Sequence, residues 1–263
     1  MSGVTLRSIG RDYAEPARKS VLHDIDLSIA EGEFVALVGP SGAGKTTLMR
    51  IIAGIDTQHM GSIAWSGGGR PRLGIVFQEP RLVPWLSILD NLLLVTGGDA
   101  HDRAKQLLAA VELSGNESAL PGQLSGGMQR RAALARALLV EPDFLMLDEP
   151  LLSLDAALAE RMRRLVNGYW RERRTTTLLI THNLSEAAEL STRILLLSPT
   201  ERTLVADCAL PPPDPRLRND RAVSAAVEEL RRITQSWPRP DPLDQQRRDP
   251  HETIFPNTLS RVG

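Results

Sequence analysis

The sequence predicts an α/β fold, with a core of strands and helices that is interrupted by an all-helical insert. Short apolar runs bounded by turns, such as Phe34–Val38 and Phe144–Leu147, have the composition of strands buried on both faces of a sheet. Between these runs, residues 87–140 repeat leucine and alanine at helical spacing. This change of period indicates helices that form a unit of their own between two parts of the sheet.

Composition and charge argue against several classes of protein. The chain has 263 residues, a formal net charge of −1 and one cysteine, Cys208. Without a basic excess, a nucleic acid is not expected as the partner, and a single thiol makes neither an internal disulfide nor a cysteine-built metal site. No apolar run approaches the roughly 18 residues of a membrane span, and the first residues do not resemble a signal peptide. We therefore expect a cytoplasmic protein that reaches a membrane only through a partner.

Strands and helices are expected in a definite order. Alternating apolar and polar residues mark the first strands, and short apolar runs mark the later ones. The expected strands are 4–9, 21–29, 34–38, 62–65, 73–77, 144–147, 178–180 and 193–197. The expected helices outside the insert are 45–53 and 156–171.

The C-terminal part of the chain differs from the rest. Its last 53 residues hold nine of the 18 prolines. An amphipathic helix is predicted at about 219–237, with Val223 and Leu230 on its apolar face, and the chain beyond it has an extended or disordered composition. We therefore divide the chain into a main domain, 1–210, and a proline-rich extension, 211–263.

A glycine-rich turn follows the strand Phe34–Val38 and opens a helix, with the pattern G-x-x-x-x-G-K-[ST]. The predicted nucleotide-binding residues, with the next threonine included, are Gly39, Pro40, Ser41, Gly42, Ala43, Gly44, Lys45, Thr46 and Thr47. Backbone amides in such a turn, with the positive end of the helix, bind phosphate oxygens. Lys45 would contact the outer phosphates, and the Thr46 hydroxyl would hold Mg²⁺. A chance glycine turn is the poorer explanation in this strand–turn–helix context.

Two carboxylates end the apolar run that begins at Phe144. Asp148 would hold Mg²⁺, and Glu149 would polarise the water that attacks the γ-phosphate of a bound nucleotide. An acidic turn after a buried strand is common, but beside a phosphate loop it predicts hydrolysis. A transferase would need a second pocket for its acceptor.

The sequence LSGGMQRR at 124–131 lies between the phosphate loop and these carboxylates. By itself it would be a capped helix, because Ser125 is a good N-cap. With the motifs in this order, residues 4–206 resemble the ATP-binding cassette (ABC) family. The signature of that family is Leu-Ser-Gly-Gly-Gln, and here Met128 stands in place of the glutamine. The resemblance implies a P-loop NTPase core with an antiparallel β subdomain and an inserted helical subdomain at about 79–142.

The resemblance also implies roles for single residues. Gln78 matches a glutamine that touches Mg²⁺, and His182 matches a switch histidine at the γ-phosphate; a surface amide and a packed core histidine are the alternatives. Asp155 matches an aspartate that bridges two subunits. Tyr13 matches the aromatic residue that stacks on adenine, with an ordinary strand-edge aromatic as the equal alternative.

In the ABC family, two cassettes face each other head to tail. This implies that each ATP lies between the phosphate loop of one cassette and the signature of the other, here Ser125, Gly126, Gly127 and Met128. A second copy of this chain is the expected partner. Glu149 and His182 would complete the site only when the two cassettes close.

The segment from Phe77 to Ser87 resembles the importers of nitrate, sulfonates and taurine. That resemblance implies a separate ATPase chain docked on transmembrane permease subunits at the inner face of the cell membrane, with an extracytoplasmic solute-binding protein. Trp85 would line the docking groove, and core packing is its alternative. The alternative function is a soluble ABC-type ATPase that remodels a non-membrane partner. A kinase is disfavoured by the signature and by His182.

Overall fold

The computed structural model describes residues 2–13, 19–97, 99–152, 154–213 and 220–237. The strands in these ranges are β1 Val4–Tyr13, β2 Lys19–Ile29, β3 Phe34–Val38, β4 Met60–Trp65, β5 Leu73–Val76, β6 Phe144–Asp148, β7 Thr176–Thr181, β8 Arg193–Leu197 and β9 Leu204–Ala209. The α-helices are α1 Lys45–Ile52, α2 Ile88–Leu93, α3 His101–Ala110, α4 Gly126–Leu139, α5 Ala156–Arg173, α6 Leu184–Leu190 and α7 Asp220–Gln235. The proline-rich stretch from residue 238 onward lies outside the described residues.

Two sheets organise the chain. The central sheet has the order β5-β6-β7-β3-β8-β9 and is parallel except for β9, which pairs antiparallel with β8. A smaller antiparallel sheet has the order β2-β1-β4. Helices α2, α3 and α4 lie between β5 and β6 in the chain, and α4 packs against the other two. The predicted α/β core with an antiparallel subdomain and a helical insert is confirmed.

Strand β3 divides its side chains between two hydrophobic cores. Phe34, Ala36 and Val38 belong to the core shared with α4, α5, α6 and α7, whereas Val35 and Leu37 belong to the core shared with α1 and the antiparallel sheet. All five side chains are buried. A strand covered on both faces has to be apolar throughout, which is why its sequence does not alternate.

The parallel register brings the carboxyl ends of four strands to one edge of the sheet. The paired positions near these ends are Val38 with Thr181, Ile180 with Asp148, and Leu147 with Val76. The segments that leave the sheet here are the phosphate loop, the turn at Glu149, the turn at His182 and the loop at Gln78. Ligands of open α/β sheets bind at this edge.

Two elements of the structure were not predicted from the sequence. Helix α6 has seven residues, which is too short for a helical period to appear. Strand β9 lies at the edge of the sheet, and its side chains are half-buried or exposed. Among the described helices, none has both the length and the apolar character that crossing a membrane requires.

The C-terminal helix α7 packs against α6 and against the core that contains Phe34 and α4. Val223 and Leu230, which the sequence placed on the apolar face, are buried, and Val227 and Trp237 are half-buried against the same core. Ile233 also packs there. The extent of the two domains stays a prediction.

Trp170 provides a test of the core. Its indole on α5 is 4% exposed, its Nε1 donates to the carbonyl oxygen of Gly32 at 3.0 Å, and its ring centroid lies 5.9 Å from that of Phe34. We expect Trp170→Ala to lower the free energy of unfolding by about 3–5 kcal/mol, because a large buried side chain is lost. Urea denaturation followed by circular dichroism measures this change. The matched control is Trp85→Ala, since Trp85 is 77% exposed; equal losses in the two variants would contradict the packing.

Candidate functional site

The turn after β3 encloses the Lys45 side chain. The Lys45 ammonium donates to the carbonyl oxygens of Gly39, at 2.7 Å, and Pro40, at 2.9 Å. Burial lowers the pKa of Lys45, while the charges of Glu149 and Asp148 act in the opposite direction. The ammonium is therefore held inside the loop and close to the two carboxylates.

Glycine is required at the end of this loop. Gly44 has φ +104°, and a side chain there would meet the Leu22 side chain at 2.8 Å and the Val21 carbonyl oxygen at 2.9 Å. Ser41 and Gly42 are exposed, whereas Ala43 is buried. Helix α1 begins directly afterwards, so its positive end faces a loop that an anion can reach.

Thr46 and Asp148 lie side by side at the start of α1 and the end of β6. The Thr46 hydroxyl donates to Asp148 Oδ2 at 2.7 Å. Asp148 is 1% exposed, and burial raises its pKa to about 6. Hydroxyl and carboxylate oxygens are ligands that Mg²⁺ prefers, so this pair could hold the ion.

Glu149 and His182 form a hydrogen-bonded pair at the ends of the adjacent strands β6 and β7. His182 Nδ1 lies 2.8 Å from Glu149 Oε1 and 3.0 Å from Oε2. Because a carboxylate only accepts, Nδ1 carries the proton in this pair. Glu149 has φ +49°, a conformation that non-glycine residues rarely adopt, and its backbone amide donates to the Ile180 carbonyl oxygen at 3.0 Å. Strained backbone of this kind concentrates at functional sites.

Gln78 is exposed and follows β5 at the same edge of the sheet. The loop after it is held by two residues that sequence patterns did not indicate. Arg136 donates to the carbonyl oxygens of Pro80 and Arg81, both at 2.9 Å. Asn91 is fully buried and bonds to the backbone of this loop, including Val83 N at 2.7 Å. A polar residue on a helix gives no sequence signal of the backbone groups to which it will bond.

The signature segment caps helix α4. Ser125 accepts from the backbone amide of Met128 at 3.2 Å, and Gln129 donates to the carbonyl oxygens of Pro121 and Leu124. Ser125 and Gly126 are exposed, and Gly127 and Met128 are half-buried. Helix α4 packs on β5, α2 and α3, whereas the phosphate loop adjoins β2 and β8. Within one chain, these two predicted parts of the site therefore belong to different parts of the fold.

Asp155 lies in the loop that joins β6 to α5. Its carboxylate is the N-cap of α5 and accepts from the backbone amide of Leu158 at 2.9 Å. Arg130 on α4 donates to the Leu152 carbonyl oxygen in this loop at 3.0 Å. The loop of Asp155 is thus tied to the helix that begins with the signature.

Tyr13, at the end of β1, has the contacts of a strand-edge residue. Its hydroxyl donates to Asp56 Oδ2 at 3.1 Å, and the Arg11 guanidinium lies 4.1 Å from the ring centroid. Burial raises the pKa of Tyr13, and the charge of Asp56 adds to this effect. Because Arg11 covers one face of the ring, at most the other face is open to a base. Contact with adenine stays a prediction.

Asp148 makes the stability of the nucleotide-free protein depend on pH. Its pKa rises from 3.8 to about 6 on folding. Above pH 6 the carboxylate is charged in the folded protein, and its burial lowers the free energy of unfolding by the full amount. This loss disappears as the pH falls to about 3.8. About two pKa units correspond to roughly 3 kcal/mol. We expect Asp148→Asn to stabilise the protein by up to this amount at pH 7.5, and by about half as much at pH 5.

Urea denaturation in EDTA at the two pH values measures this gain. The matched control is Asp143→Asn, because a hydrogen bond from Arg72 lowers the pKa of Asp143. That variant should lose stability by about the same amount at the two pH values, because both lie above the unfolded pKa of 3.8 and the folded pKa is lower still. A gain in Asp148→Asn that does not change with pH would contradict the burial of a charged carboxylate.

Comparisons with known proteins show the family to which the chain is related. The family described as ABC transporter matches residues 22–152. The aliphatic sulfonates import ATP-binding protein of Rhodococcus jostii is 45% identical over 230 residues, which cover 87% of this chain and 91% of that protein. A protein of the same description from Pseudomonas aeruginosa is 40% identical, over 91% of this chain and 89% of its own length.

Solved structures agree as well. A bacterial ABC transporter cassette, described as dimeric, is 28% identical with a TM-score of 0.72, and the match covers 78% of this chain and 98% of that one. A second, described as a dimeric post-hydrolysis state bound to ADP and phosphate, has a TM-score of 0.71 at the same identity and coverage. The chain therefore belongs to the ATP-binding proteins of the ABC transporter family.

Proposed function

We propose that this chain is the ATP-hydrolysing, energy-coupling subunit of an ABC importer. An aliphatic sulfonate, or a similar small solute such as nitrate or taurine, is the proposed cargo of the whole transporter. The support is the alignment with import ATP-binding proteins over about nine-tenths of the chain and of those relatives. Their descriptions favour import over the remodelling of a non-membrane partner.

The observation that carries hydrolysis is the Glu149–His182 hydrogen bond at 2.8 Å. The charge of Glu149 also acts on the buried ammonium of Lys45, which supports a shared site at the edge where the phosphate loop lies. In our proposal, Glu149 polarises the attacking water, His182 orients Glu149 and contacts the γ-phosphate, and Lys45 binds the outer phosphates.

Thr46, Asp148 and Gln78 are the proposed ligands of Mg²⁺. The hydrogen bond between Thr46 and Asp148 at 2.7 Å supports this proposal because it joins two oxygen atoms of a kind that binds Mg²⁺, and Gln78 follows β5 at the same edge of the sheet. The ion would neutralise phosphate charge during hydrolysis. The chain itself would then hold the phosphates with the loop and with Lys45.

A second copy of the chain is proposed to complete each ATP site. Helix α4 has 14 residues and an exposed N-terminal end, where the backbone amides of Gly126 and Gly127 would bind a phosphate held by another copy. The hydrogen bond from Arg130 to Leu152 joins the Asp155 loop to α4. Through this bond, a change in the loop at one ATP site would shift the signature that serves the other site. Both solved cassettes named above are described as dimeric.

Transmembrane permease subunits are the proposed membrane partner, with a solute-binding protein on the far side. The chain would then lie at the inner face of the cell membrane. Trp85 is 77% exposed on a loop that Asn91 and Arg136 hold in shape, as a docking surface requires. The proposed division remains a main domain, 1–210, with its insert at about 79–142, and an extension, 211–263.

Glu149→Gln tests the proposed chemistry. We expect ATP to bind and a dimer to accumulate while turnover falls by at least about 10²-fold, because the amide cannot polarise water as the carboxylate does. Steady-state phosphate release and gel filtration with ATP measure the two effects. The matched control is Glu172→Gln on the exposed surface of α5, which should behave as wild type. Turnover near the wild-type rate in Glu149→Gln would reject this role.

Co-purification tests the membrane partner. A tagged chain isolated from detergent-solubilised membranes should bring down a chain with several apolar spans of about 20 residues. Trp85→Arg should reduce this recovery severalfold, because a charge would enter an apolar contact. The matched control is Met60→Arg, since Met60 is 59% exposed on β4. Soluble partners alone in the wild-type sample would reject the importer and leave the ATP chemistry standing.

A further inference from the structure

We infer that Glu186 is a positioning residue for the proposed hydrolysis, because it fixes, through the Thr181 hydroxyl, the turn that carries His182. The inference rests on the proposed function of Glu149 and His182. It adds a residue that touches neither the phosphate loop nor the Glu149–His182 hydrogen bond and acts through the backbone of the turn.

The geometry is a short chain of hydrogen bonds around His182. Thr181 is the last residue of β7 and is fully buried. Its hydroxyl donates to Glu186 Oε2 and accepts from the backbone amide of Asn183 at 3.1 Å. The residue before His182 and the residue after it are therefore joined through one hydroxyl group.

Glu186 decides the direction in which this hydroxyl points. A threonine hydroxyl has one proton and two lone pairs, so a carboxylate that takes the proton leaves a lone pair for the Asn183 amide. The same turn is fixed at its other end, because Asn183 Oδ1 accepts from the backbone amides of Ser185 and Glu186. Without an acceptor at 186, the hydroxyl is free to rotate, and the backbone on either side of His182 loses a constraint.

The position of Glu186 is costly for stability. The residue is 8% exposed, and its second oxygen, Oε1, is buried without a hydrogen-bond partner among the described residues. Burial raises the pKa of this carboxyl, and the nearby charge of Glu149 acts in the same direction. An unsatisfied buried carboxylate oxygen calls for an explanation other than stability. The role of Glu186 in fixing the turn that carries His182 is such an explanation.

Paired substitutions separate positioning from general stability. Glu186→Ala removes the acceptor and Thr181→Val removes the hydroxyl, whereas Glu186→Gln and Thr181→Ser keep the hydrogen bond. We expect the first two to lower kcat about tenfold, the effect of one lost buried hydrogen bond, with KM for MgATP changed by less than about twofold. The two conservative variants should keep kcat within about threefold of wild type. Steady-state ATPase assays on the full chain measure both constants.

The matched control is Glu189→Ala, which removes a half-exposed carboxylate one turn further along α6. It should leave kcat and KM at their wild-type values. Unchanged kcat in both Glu186→Ala and Thr181→Val would overturn the inference, as would an equal loss in Glu186→Gln and Glu186→Ala. If Glu186→Ala does not fold, Thr181→Val decides, because it exchanges only a hydroxyl for a methyl group. A wild-type chain without ATPase activity would instead overturn the proposed function.

Discussion

The candidate site depends on the burial of β3 on both faces. Because its side chains enter two separate cores, the strand cannot shift along its neighbours without exposing apolar groups or burying polar ones. Its parallel partners β7 and β8 are fixed with it, and β6 is fixed through β7. The ends of these strands, and therefore the loops that carry Lys45, Asp148 and His182, are held by packing that lies outside the site.

A rigid frame of this kind allows the site to contain groups that lower the stability of the folded chain. Lys45 and Asp148 are charged groups taken out of water, Glu149 has a left-handed backbone, and one oxygen of Glu186 lacks a partner. Each feature costs stability in the nucleotide-free chain. The proposed ligands explain the first two, since phosphate would pair with the ammonium and Mg²⁺ with the carboxylate. The cores around β3 offset these costs before any ligand binds.

The sequence predicted the parts of the site that lie in continuous motifs. A buried strand, a glycine turn and a helix are adjacent in the chain, so their pattern carries both the fold and the chemistry of the phosphate loop. The same holds for the acidic turn after β6. The parts that were missed depend on contacts that no motif contains: Arg136 bonds to Arg81, 55 residues away, and Asn91 bonds to Val83 across the turn before its helix. Tyr13 illustrates the same limit, because its match in sequence says nothing about Arg11 lying on its ring.

The arrangement of α4 has a consequence for how hydrolysis is controlled. Within one chain, the signature helix is packed on β5, α2 and α3 and is joined by Arg130 to the loop after β6, whereas the phosphate loop adjoins β2 and β8. If its exposed N-terminal amides serve a phosphate, the proposed source of that phosphate is the phosphate loop of another copy. Each chain then contributes Glu149 and His182 to one site and the N-terminal end of α4 to the other, and neither site is complete within a single chain. Turnover would follow from association, so a partner that changes the distance between two copies could control hydrolysis without touching ATP.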